Sequence, residues 1–299
     1  VIRFKHFILE GGNVKVKDAD GKEVSAAPFA IKDRSAQAKD VHDALSSIHN
    51  SFHAATGKHL FGKDAKALST GSAYSGSSKQ FMNKDKSPIS DAEFKKHKPT
   101  VGDVDVQVPK EHKEELHSHL QSQIGQRHGK YTLVGIKKSG NETHAVMRHD
   151  NGEHHQFDFE HVAYHNHEPA EHEQFLHSSS WEDSKKGIKG AHHKILLNAV
   201  ASASDHKFSI THGLRSRTNA DDPGVAAPKE VSKKLFGPKA NHENVNSFVG
   251  LADSIRRHVP AEKHQEIYDK FKGGMANNKN VDSTNAIAHL KSTLGTKDE

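Results

Sequence analysis

Cysteine is absent from the 299-residue chain, which excludes disulfides and thiolate metal sites and fits a cytoplasmic protein. Aromatic residues are 6% of the total and hydrophobic residues 33%, with a mean hydropathy of −0.81, so polar surface and long loops are expected. No hydrophobic run approaches the length of a membrane span, so no membrane partner is expected. The opening stretch, Val1 to Ile8, is too short and too charged for a secretory signal. Acidic excess is lacking as well. Lys and Arg number 43 against 38 Asp and Glu, a net charge of +5 that favours polyanionic partners. The 27 His add positive charge as pH falls toward about 6.5.

The chain is long enough to bury a real core and to hold more than one domain. Its most informative stretch is Thr100-Val101-Gly102-Asp103-Val104-Asp105-Val106-Gln107-Val108-Pro109, which alternates as a strand does. Val104, Val106 and Val108 share one face; Asp103, Asp105 and Gln107 share the other. Two carboxylates two residues apart on a strand repel, and Asp is a poor strand former. A divalent cation bridging both offsets the repulsion, and Mg²⁺ favours a few carboxylates together with substrate phosphates.

Upstream, Ala67-Leu68-Ser69-Thr70 leads into Gly71-Ser72-Ala73-Tyr74-Ser75-Gly76-Ser77-Ser78-Lys79. Glycines, hydroxyls and free backbone N–H groups ahead of a helix suit phosphate binding. Downstream, His154-His155-Gln156-Phe157-Asp158-Phe159-Glu160 alternates again, with Asp158 and Glu160 on one face. Gly-Ser after a strand, Asp-x-Asp on a strand and a lone Asp on a later strand together resemble the DNA polymerase β-like nucleotidyltransferase superfamily over about residues 60–165. The matching residues are Gly71, Ser72 and Gly76, then Asp103 and Asp105, then Asp158. The stretch between Ser72 and Asp103 is longer than the family's usual spacing. Its Lys84-Asp85-Lys86-Ser87-Pro88 turn and Lys95-Lys96-His97-Lys98 cluster are expected to form a surface loop.

The resemblance implies transfer of a nucleoside monophosphate from an NTP to an acceptor hydroxyl, with Mg²⁺ or Mn²⁺ as cofactor and RNA or another nucleic acid as an acceptor. It implies that Asp103 and Asp105 bridge two metal ions and that Asp158 holds the acceptor-side ion and helps deprotonate the hydroxyl. Gly71, Ser72, Gly76 and Lys79 then contact the nucleotide's phosphates. The alternative is a catalytically inactive nucleotidyltransferase-fold protein that acts as a nucleic-acid-binding or structural assembly component.

The remaining segments give an α+β architecture: a nucleotidyltransferase-like mixed sheet flanked by helices, followed by a helical C-terminal domain. Residues 1–35 read as strands with a hairpin around Asp18-Ala19-Asp20-Gly21, and 36–165 as the catalytic domain. Within the latter, Val41, Leu45, Ile48 and Phe52 form a helical stripe, and Lys110 to Gln126 a polar helix whose His112, His117 and His119 face solvent. Three strands follow as a meander: 131–136, 143–148 and 156–163. Residues 166–214 continue as helix, 215–240 form a mobile linker, and 241–299 form helices, one of them ended by Gly273-Gly274. His165-x-His167 has ligands for Zn²⁺, but His is spread along the whole chain, and composition accounts for the cluster better.

Overall fold

The alternating stretches become one sheet in the computed structural model, which describes residues 14–30, 33–61, 69–70, 90–97, 100–165, 168–169, 180–209, 213–240, 245–277 and 282–298. The chain divides into two compact units, Gly11–Glu173 and Gln174–Glu299. None of the described helices is long and apolar enough to cross a membrane.

In the first unit the elements run β1 (Lys15–Lys17), β2 (Glu23–Ser25), β3 (Phe29–Ala30), α1 (Arg34–Thr56), β4 (Ser69–Thr70), α2 (Asp91–His97), β5 (Thr100–Val101) and β6 (Asp103–Pro109). They continue with α3 (Lys113–Ser122), β7 (Arg127–His128), β8 (Tyr131–Ser139), β9 (Glu142–His149), β10 (His154–Val162), β11 (Tyr164–His165) and β12 (Glu168–Pro169). Six strands make a mixed sheet in the order β4-β6-β10-β9-β8-β7. Pro109 ends β6, and the chain crosses through α3 to the far edge. It then returns strand by strand through the expected meander, so that β10 lies parallel to β6. Every other pairing in this sheet is antiparallel.

The two faces of the sheet have different chemistry, as the alternation requires. One face carries Val104, Val106, Val108, Tyr131, Leu133, Ala145, Met147, Phe157 and Phe159, all buried. Helix α1 presents its buried stripe of Val41, Leu45, Ile48 and Phe52. Asp33 caps its start by accepting from the Ala36 N–H at 3.0 Å, and Gly57 ends it in the left-handed conformation. Hairpin β1–β2 lies over the opposite face, where Val16 and Ala26 pack with Val146. Gly135 makes room for it, since a Cβ there would stand 2.4 Å from the Lys17 carbonyl oxygen.

The second unit holds α4 (Trp181–Lys185), α5 (Gly190–Ala203), β13 (His206–Ser209), β14 (Gly213–Ser216), α6 (Pro228–Phe236), α7 (Phe248–His258), α8 (His264–Ala276) and α9 (Thr284–Leu294). Leu196, Val200, Phe248, Leu251, Ile255, Ile267, Phe271 and Leu290 form its core. Asp183 accepts from the Phe248 and Val249 N–H groups at 2.8 and 3.0 Å, at the N-terminus of α7. Burial raises its pKa to about 6 against the pull of those donors.

Several expectations are corrected here. The stretch before Asp103 is not all surface loop: α2 buries Phe94 completely, and β5 pairs with β3. His119 does not face solvent; it is buried, 2.9 Å from the Ser51 hydroxyl and edge-on to Phe52. Residues 215–240 are not a linker, because α6 occupies 228–236 with Val231 in the core and Pro228 at its start. Asp222 also ties the preceding loop, accepting from the Ser216 and Gly224 N–H groups and pairing with Lys234 at 2.7 Å. Residues 166–214 include the β13–β14 hairpin as well as helix. Gly273-Gly274 does not end its helix, which runs on to Ala276; a Cβ at 274 would stand 2.7 Å from Ile195 Cγ2, so close helix packing accounts for that glycine.

Two buried histidines on the core face make stability depend on pH. His155, 3.0 Å from the Tyr131 hydroxyl, and His161, 3.0 Å from the Thr143 hydroxyl, are each lowered to about 4 by burial. The unfolded chain binds their protons near pH 6.5, so their contribution is full above that value and is lost as pH falls through 4. The loss is on the order of 3 kcal/mol per residue. Ring resonances followed by NMR should show both staying neutral at pH 5.5 while the melting temperature declines; titration of either ring near pH 6.5 would contradict this.

Candidate metal centre

Parallel pairing of β6 with β10 places Asp158 directly opposite Asp105, and Gln156 opposite Asp103. Antiparallel pairing extends the first row in both directions, to Thr70 of β4 beyond Asp105 and to His144 of β9 beyond Asp158. Strand parity turns Asp103, Asp105, Gln156, Asp158 and His144 to the same face. One carboxylate oxygen from each of Asp103, Asp105 and Asp158 then lies within 4.8 Å of the other two, and this trio can hold a metal ion. Asp158 is buried and the other two are half-buried. Asp103 and Asp105 are therefore where the alternation placed them, and Asp158 joins them. Glu160, which shares a face with Asp158, falls in the next row, opposite Gln107 and Glu142, and is outside the trio.

The Asp158 carboxylate is held by two neighbours. Gln156 donates from Nε2 to both oxygens, at 2.9 and 2.8 Å, and His144 Nδ1 lies 2.7 Å from Oδ1. Behind His144, Nε2 lies 3.5 Å from Glu142. Burial alone would lower the His144 pKa, but the hydrogen bond and charge of Asp158, with Glu142 adding to them, raise it above its ordinary value. His144 and Gln156 were not singled out by sequence reasoning. Their signal was parity: each occupies a site-facing position on its strand, but which strands pair is not a local property.

Gly71, Ser72, Gly76 and Lys79, expected at the phosphates, lie outside the described residues. The residue preceding them, Thr70, is paired opposite Asp105. His167 and the side chain of His165 lie outside what the structure describes; among the described residues the aspartate trio alone forms a cluster of potential ligands. Comparison of the chain with protein-family models, curated proteins and solved structures found no match.

Three carboxylates within 4.8 Å repel by roughly 3 kcal/mol per ionised pair at an effective dielectric of about 20. A cation that binds only the folded chain relieves this and stabilises by mass action. Asp105→Asn removes one charge from the trio. Its melting temperature in EDTA should equal or exceed that of the parent, while most of the rise produced by Mg²⁺ disappears. Equal Mg²⁺ shifts in parent and variant would show that the trio is not the metal centre.

Proposed function

We propose that the chain is a divalent-metal-dependent nucleotidyltransferase of the DNA polymerase β-like type, acting on an NTP and an acceptor hydroxyl, with RNA or another nucleic acid as acceptor. The observation that carries this reading is the convergence of Asp103, Asp105 and Asp158 on one face of a mixed sheet. The donor set fits the group: three carboxylates, with no sulfur or imidazole among them, suit hard cations such as Mg²⁺ or Mn²⁺. Asp103 and Asp105 would hold both ions and Asp158 the acceptor-side one. When bound, such ions neutralise phosphate charge and favour the ionised form of the attacking hydroxyl.

In this reaction the acceptor oxygen forms a bond to the α-phosphorus, the bond from that phosphorus to the β-phosphate's bridging oxygen breaks, and pyrophosphate leaves. The acceptor's proton passes to solvent. The chain orients the reactants. Thr70, the last residue of β4, pairs opposite Asp105, and Gly71-Ser72 follow it in the sequence, which favours a role for these two at the NTP's outer phosphates. The aspartates are mounted on central strands rather than on loops, which limits their movement. The lack of cysteine and the use of an NTP suit a cytoplasmic setting.

The test is incubation with nucleoside triphosphates labelled at the α-phosphate, Mg²⁺ or Mn²⁺, and RNA, DNA and protein acceptors. Label should enter one acceptor class with stoichiometric pyrophosphate, and Asp103→Asn or Asp105→Asn should reduce transfer by at least about 100-fold. Absence of transfer to every acceptor, with nucleic acid still bound, would favour the non-catalytic assembly role.

A further inference from the structure

The arrangement around Asp158 fixes more than its position. The Val14 N–H, just ahead of hairpin β1–β2, donates to Gln156 Oε1 at 3.0 Å. A backbone N–H can only donate, so the side-chain oxygen of Gln156 must face Val14 and its NH₂ must face Asp158. Asp158 Oδ1 then receives both Gln156 Nε2 and His144 Nδ1, while Oδ2 receives Gln156 alone. A carboxylate oxygen offers about two acceptor sites. Among the described residues, Oδ1 is thus filled and Oδ2 keeps one site, on a side chain only 9% exposed.

Resting on the metal-centre reading above, we infer that Gln156 and His144 are positioning residues that clamp Asp158 so that it presents a single oxygen to the cation, with the N-terminal hairpin setting the orientation of the clamp. Asp158 is then a one-oxygen ligand. The hairpin is fixed to the same sheet independently, by Val16 and Ala26 against Val146 and by the Ala27 N–H donating to the His154 carbonyl at 3.1 Å. Gln156 is therefore held from both ends of its amide.

The experiment measures Mn²⁺ affinity by electron paramagnetic resonance of the free ion, using the full chain, alongside melting curves in EDTA. Gln156→Met keeps the side chain's length and removes its donor; His144→Leu removes the second donor. His144→Asn places an amide N–H near the position of Nδ1 and serves as the rescue. Both removals should weaken Mn²⁺ binding about 10- to 100-fold, the usual effect of losing an outer partner of a metal ligand, with cooperative melting retained. His144→Asn should recover most of the affinity, a result that a merely structural role for His144 would not give. If one removal variant fails to fold, the comparison of Leu with Asn at position 144, or of Met with Gln at 156, still decides. Parent-like affinity in the folded removal variants would overturn the clamp and leave the metal centre standing. A parent that binds no Mn²⁺ would overturn the metal centre and the clamp together.

Discussion

The parallel register between β6 and β10 is the constraint on which the site depends. Asp103 and Asp105 are neighbours by sequence alone, but Asp158 lies more than fifty residues further on and meets them only because its strand returns beside theirs. A slip of one residue would turn Asp158 to the core face and bring Phe157 or Phe159 to the site face, exchanging a carboxylate for an aromatic ring on each. Burial of those two phenylalanines therefore holds the aspartate trio in register, although neither belongs to it. The repulsion among the trio works against this arrangement, and the apolar face of the same strands supplies the opposing free energy.

The two faces also set the charge of identical side chains in opposite ways. His155 and His161 on the core face are pushed down to about 4 by burial. His144, on the other face of the same sheet, is similarly shielded from solvent but bonded to an aspartate, and its pKa is held up. The linkage signs are opposite. The His144 contribution is full below pH 6.5 and is lost as pH rises through its raised value, whereas the core histidines give theirs only above pH 6.5. Acid lability of the first unit and the charge around its acidic trio thus come from separate sets of residues.

Much of the site was legible because strand parity is strictly local. Alternation alone placed Asp103 and Asp105 on one face of their strand and Asp158 with Glu160 on one face of theirs, and the meander of β8, β9 and β10 matches the strands expected at 131–136, 143–148 and 156–163. The resemblance singled out Asp158 rather than Glu160, while the pairing that sets Asp158 opposite Asp105 is contained in no window of sequence. His144 and Gln156 were hidden for the same reason. The errors have local causes too. Residues 215–240 read as a linker, yet Pro228 opens a helix there, since Pro is well suited to the first turn of one. Gly273-Gly274 read as a stop, whereas at Gly274 the neighbouring Ile195 requires the missing side chain. Phe94 sat in a lysine-rich stretch whose composition outweighed one buried aromatic.

The most direct test of the central claim is anomalous diffraction from crystals grown with Mn²⁺ and a non-hydrolysable NTP analogue. The account predicts two Mn²⁺ peaks about 3.5–4 Å apart, both touching Asp103 and Asp105 and one touching Asp158 through Oδ2 alone, with the triphosphate alongside. Mn²⁺ and nucleotide bound away from these three aspartates would contradict it.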